Sequence, residues 1–318
     1  MNKPVLAVDL GGTKIRTAIV SQEGDIVAID NRLTQAHRGL AHVLNRLFDS
    51  IDMVVRKGGM QLEEFSGIGV AIAGVLDSKN GILTSSPNLP QWKNVQLKKI
   101  MQDRLGLDTF LINDANAAAL GEYQFGAGIG AQNLVYLTVS TGIGGGIIID
   151  GKLYEGSTGS AGELGHMTID ADGPRCNCGN YGCLEALASG TAVAREAIER
   201  IKSGKMSILK DMKENISDIM AVDVAKAARR GDKLSIEIIA GASYYLGIGL
   251  VNIVNIFNPQ VIVIGGGMSK MGGMLIEPAK KIVNQRAFKL PARTARIVRA
   301  RLGNNSGIIG AAVNVFNQ

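Results

Sequence analysis

"VLAVDLGGTKIRTAIVSQEGDIVAI", residues 5–29, decides the fold. Its apolar runs are broken by Gly11-Gly12 and by Glu23-Gly24-Asp25, which reads as strand, glycine turn, strand, turn, strand: an antiparallel meander. The pattern returns near residue 134, where "LVYLTVSTGIGGGIIIDGKLYEG" is again strand, glycine turn and strand, then an Asp-Gly hairpin into a third strand. This internal repeat predicts two related lobes.

Around the meanders, strands alternate with helices. A helix is predicted at about 37–57, with Leu40, Val43, Leu44, Leu47, Ile51, Val54 and Val55 on one face and Gly58-Gly59 ending it. "GIGVAIAG" (67–74) has the unbroken apolar character of a strand in a doubly covered sheet, and "DTFLI" (108–112) is another strand. The "NDANAAALGEYQFG" that follows starts a helix at Asn113 or Asp114. Further helices are expected at about 191–202, 222–230 and 233–257, the last ended by Pro259 and closely packed at Gly241, Gly247 and Gly249. "VIVIGGGM" (261–268) is a strand delivering three glycines, and "NNSGIIGAAVNVFN" (304–317) a capped amphipathic helix. The class is α/β.

The length of 318 residues suits roughly two domains, and 46% hydrophobic with 19% charged residues is ordinary globular composition. No apolar run reads as long enough to span a bilayer, so no membrane partner is expected. A net charge of +6 raises the question of nucleic acid. The densest basic stretch, "RAFKLPARTARIVRARLG" (286–303), interleaves its cations with aliphatic rather than stacking residues; it reads as a strand or loop with a solvated basic face, and no nucleic-acid partner is expected. "MNKPVLAVDLGG" runs directly into a strand without an apolar leader, so a cytoplasmic location is expected.

All three cysteines lie in "RCNCGNYGC" (175–183). An odd number in so short a span argues against a disulfide framework and for thiolate ligation of zinc, which wants four donors. His166, in "GELGHM", is the natural fourth, so His166, Cys176, Cys178 and Cys183 are predicted to form a structural site; free surface thiols are the alternative.

The glycines cluster at Gly11-Gly12-Thr13, at Thr141 to Gly146 and at Gly265-Gly266-Gly267. Backbone N–H groups reach phosphates closely only where no Cβ intervenes. No GxxxxGK[ST] occurs, and the glycines at 142–146 lead into a strand rather than opening a helix, so neither a P-loop nor a dinucleotide fingerprint fits. Each loop alone could be a tight turn. Together, across two lobes, they match an ATPase built from duplicated halves.

"DLGGTK" (9–14), "STGIGGG" (140–146), "GELGH" (162–166) and "CNCGNYGCLE" (176–185) resemble the ROK family of bacterial sugar kinases and related repressors, in order and spacing, from residue 5 to the C-terminus. Within that family the likeness is to the glucokinases. Only eight residues precede Asp9, which favours the kinases over repressors carrying an amino-terminal helix-turn-helix. The resemblance implies an actin/hexokinase-like (ribonuclease H-like) two-lobed ATPase fold. The expected domains are 1–117 plus 303–318, small, and 118–302, large, carrying a zinc-braced sugar loop.

It also implies ATP-dependent phosphorylation of glucose to glucose 6-phosphate, with N-acetylmannosamine, N-acetylglucosamine or fructose as alternative substrates. Asp114 is the expected catalytic base; on the residues alone it could equally be a helix N-cap. Asn88, Asn113, Asp114, Glu163, His166 and Glu185 are expected to bind the sugar, although Asn88 could be a turn residue before Pro90. Asp9, Gly11, Gly12, Thr13, Lys14, Thr141, Gly142, Gly265 and Gly266 are expected to hold ATP with Mg²⁺. A homo-oligomer, dimer or tetramer, is anticipated. The zinc would tie the ends of a polar loop at 157–185 and aim its glutamates at the sugar, and the nucleotide loops are expected to lie outside that braced segment.

Overall fold

The computed structural model describes residues 3–318. The opening stretch forms the expected meander: β1 (Val5–Leu10), β2 (Lys14–Val20) and β3 (Ile26–Leu33). After α1 (Leu40–Gly58) come β4 (Ile68–Ile72), the short strands β5 (Val75–Asp77), β6 (Ile82–Ser85) and β7 (Lys93–Val95), α2 (Leu97–Leu105), β8 (Thr109–Asn113) and α3 (Asp114–Phe125). The first sheet has the order β3-β2-β1-β4-β8, with β1 antiparallel to β2 and parallel to β4. Val5 to Val8 are all fully buried although their side chains alternate between faces, so the sheet is covered on both sides; α1 packs on β2 and β3, and the C-terminal helix on β1 and β4. The antiparallel β5-β6-β7 sheet was not foreseen, because its strands are too short for a period-2 pattern to register.

The second meander is β9 (Leu134–Val139), β10 (Ile143–Ile149) and β11 (Lys152–Leu153). There follow α4 (Leu184–Ala188), α5 (Gly190–Lys202), α6 (Leu209–Met212), α7 (Ala221–Arg229), α8 (Lys233–Phe257), β12 (Val261–Gly265), α9 (Gly273–Arg286), α10 (Lys289–Thr294), β13 (Arg296–Arg299) and α11 (Ser306–Phe316). The second sheet runs β11-β10-β9-β12-β13, with β12 parallel to both β9 and β13. The basic stretch at 286–303 is in part the expected solvated strand, β13, where Arg296 and Arg299 are exposed and Ile297 is buried; ahead of it lies a short helix, α10, that the sequence did not announce.

Two compact units emerge. One comprises the chain up to Gln132 with Gly146–Gly162 and Ala300–Gln318; the other comprises Asn133–Gly145 and Glu163–Arg299. The first therefore extends beyond residue 117, because α3 cannot be divided from α11. A Cβ on Gly121 would meet the backbone of Ser306, and one on Gly310 the backbone of Ala117, so the helices touch main chain to main chain. Glu122 reinforces this packing. Wholly buried in α3, its carboxylate accepts the N–H groups of Ala127, Arg301 and Leu302 at 2.8–2.9 Å and the Ser306 hydroxyl at 2.7 Å. An amide can present only one oxygen to these four donors. Glu122→Gln is therefore expected to cost about 2–3 kcal/mol in denaturant unfolding, and an unchanged midpoint would remove Glu122 from this role.

At 25 residues α8 is, contrary to the sequence reading, long and apolar enough to cross a membrane. Its packing makes it a core helix. A Cβ on Gly249 would lie 2.6 Å from Leu184 of α4, and one on Gly247 2.7 Å from Ile282 of α9.

Candidate active site

In the first unit, parallel pairing aligns the carboxyl ends of three strands. Leu10 pairs with Ile72, and Ile72 with Asn113, so Asp9, the turn at Gly11 to Thr13, Asn113 and Asp114 share one edge of the sheet, where open α/β sheets display their ligand groups. Asn113 is the N-cap of α3: its side-chain oxygen accepts the N–H groups of Ala115 (2.9 Å) and Asn116 (3.3 Å). Asp114 Oδ1 shares the Ala115 N–H at 2.9 Å, so both side chains serve the start of α3, with Asn113 alone reaching Asn116. Asp114 is the first residue of α3.

Asp9 feels that charge. Burial, and then the neighbouring Asp114 carboxylate, push its pKa from 3.8 up to about 6 against the opposing pull of Arg16. Arg16 in turn donates to the Asn304 carbonyl and, at 2.7 Å, to the Asn305 side chain, fastening β2 to the start of α11. A Cβ on Gly307 would lie 3.5 Å from Asp9 Oδ2, so α11 begins beside this carboxylate.

The Gly11–Thr13 turn has a support that sequence reading missed. Buried Thr34 donates its hydroxyl to the Gly11 carbonyl (2.6 Å) and its N–H to that of Thr13 (2.9 Å). A lone threonine after a strand carries no pattern, so no signal could have found it. Thr13 and Lys14 are exposed. A Cβ on Gly12 would meet the Asn88 backbone oxygen at 2.7 Å and its Cβ at 2.8 Å. The expected phosphate turn therefore lies directly against the expected sugar residue Asn88. The backbone N–H of Asn88 donates to Ser86 Oγ (3.3 Å), and that hydroxyl donates to the Ala73 carbonyl (2.6 Å).

In the second unit, pairing of Gly265 with Thr138 sets the other two glycine clusters side by side. A Cβ on Gly266, whose φ is 81°, would collide with the Val139 backbone, and one on Gly267 would lie 3.5 Å from Ser140 Oγ. The same unit holds a candidate metal-ligand set. The donor atoms of His166, Cys176, Cys178 and Cys183 all lie within 4.8 Å of one another. Cys178 Sγ is 3.7 Å from Cys183 Sγ, and Cys176 Sγ is 3.7 Å from His166 Nδ1. A tetrahedral ion with sulfur bonds of about 2.3 Å places its sulfurs about 3.8 Å apart, so the set fits. Burial pushes the Cys183 thiol up to about 12 and raises that of Cys176, while the Asn180 backbone N–H lowers that of Cys178; a bound cation is what would hold all three as thiolates.

His166 faces two ways. Nδ1 turns to the thiols, and Nε2 lies 3.8 Å from Glu163 Oε2. Glu185, in the first turn of α4, also bridges two environments: Oε1 is 3.9 Å from Cys176 Sγ, and Oε2 accepts the Ile143 N–H at 2.8 Å. Gly165 presses on the Ile143 backbone as well. The expectation that the nucleotide loops lie outside the braced segment is thus wrong for Thr141–Gly146, which is bonded directly to it. The first obstacle to a Cβ on Gly142 is the Glu185 carboxylate, so this glycine makes room for Glu185 whatever else it approaches. Gly142→Ala should displace that carboxylate from the Ile143 N–H without melting the fold. The KM for sugar is then expected to rise about tenfold or more, at least as far as that for ATP. Steady-state kinetics with each substrate varied would check this, and a rise confined to ATP would count against it.

Comparison with known proteins places the chain. A glucokinase of Thermotoga maritima is 38% identical over 308 residues, covering 97% of this chain and 96% of that one. A xylose repressor of Caldicellulosiruptor bescii is 33% identical over 313 residues, 98% of this chain and 78% of the repressor. The crystal structure of a Streptomyces griseus ROK family glucokinase with glucose and AMPPNP superposes with a TM-score of 0.86 at 32% identity, covering 99% of this chain and all of that one. The fold is the actin/hexokinase-like α/β fold of these relatives. Residues 5–317 match the ROK family model, and the chain belongs to the ROK family.

Proposed function

We propose that the protein is an ATP-dependent hexose kinase that converts glucose to glucose 6-phosphate. The observation that carries this reading is the pair of carboxylates at the edge of the first sheet: Asp114 stands at the start of α3 beside the N-cap Asn113, close enough to Asp9 to raise its pKa. In the proposed reaction the sugar's 6-hydroxyl oxygen attacks the γ-phosphorus of ATP as Asp114 takes its proton. The bond to the bridging oxygen breaks and ADP leaves with its electron pair.

Asn88, Asn113, Glu163, His166 and Glu185 are assigned to sugar hydroxyls. Gly11, Gly12, Thr13 and Lys14, with Thr141 and Gly142, are assigned to the phosphates, and Gly265 and Gly266 to the adenosine side. Asp9, a carboxylate whose charge is costly because it is buried beside Asp114, suits the hydrated Mg²⁺ of MgATP, which would neutralise charge on the transferred group. Zinc is the ion assigned to His166, Cys176, Cys178 and Cys183, where it would brace the loop that carries Glu163 and Glu185. Three unpaired cysteines in mutual reach suit the reducing cytoplasm.

The test is coupled ADP release across a panel of hexoses and N-acetylhexosamines. Glucose is expected to have the highest kcat/KM, with N-acetyl sugars at least about tenfold lower, because a site that bonds a hydroxyl rejects analogues lacking it. A better N-acetylhexosamine would move the substrate assignment, and no ADP with any sugar would end the kinase reading.

A further inference from the structure

The Thr141–Gly146 loop presents a mechanical problem. Its glycines let phosphates approach, yet the same glycines leave the backbone free to wander, and ordering it costs about 1–2 kcal/mol per residue. Something must hold it, and the bonds around it identify the holder. The turn closes on itself through Ser140 N–H to the Gly142 carbonyl (2.8 Å). The Ser140 carbonyl accepts the Gly190 N–H (2.7 Å), and the Thr141 carbonyl accepts both the N–H (3.2 Å) and the hydroxyl (2.8 Å) of Thr191. Gly190 and Thr191 open α5, which follows α4 and the last cysteine, Cys183.

The direction of these bonds matters. In a planar trans peptide, the carbonyl of one residue points opposite to the N–H of the next. With the Ser140 and Thr141 carbonyls drawn onto α5, the N–H groups of Thr141 and Gly142 are turned away from it together, toward the side on which a phosphate could be received. The positive end of α5 is meanwhile used on loop carbonyls rather than on a ligand. The Gly190 and Thr191 N–H contributions are backbone, available to almost any residue. The Thr191 hydroxyl is the side chain's own, and Thr191 is otherwise exposed.

We propose that Thr191 is a positioning residue for the nucleotide: its hydroxyl holds the Thr141 carbonyl so that the loop's N–H groups are presented to the phosphates. This rests on the kinase reading and adds to it a residue outside the glycine loops and the sugar set. Binding is best read by calorimetry with AMPPNP, and separately with glucose, on the zinc-loaded protein and its Thr191→Val and Thr191→Ser variants. Valine keeps the shape and loses the hydroxyl. Losing one hydrogen bond predicts an AMPPNP Kd about three- to tenfold higher in Thr191→Val. Thr191→Ser should restore it, with glucose Kd and zinc content unchanged. Unchanged AMPPNP affinity in Thr191→Val would overturn the assignment. Equal weakening toward glucose and AMPPNP with a lowered Tm would also overturn it, since the residue would then be merely structural. If the wild-type protein itself fails to bind AMPPNP, the kinase reading falls, and this inference with it; if the wild type binds and only the valine variant shows no change, this inference alone is lost.

Discussion

Asp114→Asn is expected to lower kcat by about 10²–10⁴-fold while leaving glucose binding largely in place, the usual yield of a positioned base. The asparagine keeps the size and polarity of the side chain and an oxygen that can still accept the Ala115 N–H, and Asn113 still caps α3 through its own oxygen, so the helix should be retained. A second readout comes from Asp9. Its pKa stands near 6, first because it is buried and then because Asp114 repels its charge. For a carboxyl whose folded-state value is raised, stability is fully present below the ordinary value of 3.8 and is lost as pH rises through about 6. Removing the Asp114 charge relieves part of that loss, so Asp114→Asn should be at least as stable as wild type at pH 7. Asp9 should also titrate at lower pH, which NMR of its carboxyl would follow. A variant with near wild-type kcat would take the base role from Asp114, and one with a collapsed Tm would show the carboxylate to be structural.

Loss of one metal ligand is expected to be as damaging by a different route. Cys178 is exposed, whereas Cys176 and Cys183 are buried, so Cys178→Ala removes a donor without opening a cavity. Zinc content should fall from one per chain toward none after dialysis, a loss of affinity of about 100-fold or more given what even indirect supports of a metal site contribute. Glucose affinity should fail first, because His166 Nδ1 faces the thiols while Nε2 faces Glu163. Nucleotide affinity should weaken too, by less, because Glu185 joins the cluster to Ile143 of the glycine loop. Metal analysis finding no zinc in protein purified without chelators would sink the account. Zinc retained in full by Cys178→Ala would remove that cysteine from the ligand set.

By itself the sequence determined what is local and periodic. The meander at 5–29 and its return near 134 follow from apolar runs cut by glycine turns, and α1, α5, α7, α8 and α11 from helical spacing and their end signals. The grouping of His166 with the three cysteines was legible because ligand chemistry admits few residue types and three of the four lie in one short span. What required tertiary structure was every relation between segments distant in sequence. That Gly12 packs on Asn88, that Gly142 gives way to Glu185, that Thr34 and Thr191 hold the two glycine turns, and that Glu122 secures the return of the chain at Arg301 and Leu302 are facts of contact. Close approach and hydrogen-bond partnership depend on where the sheet places strand ends, and that depends on pairing register and helix packing over the whole chain. A glycine reads the same in sequence whether it admits a phosphate or a neighbouring carboxylate; only the atom facing its missing Cβ tells the two apart.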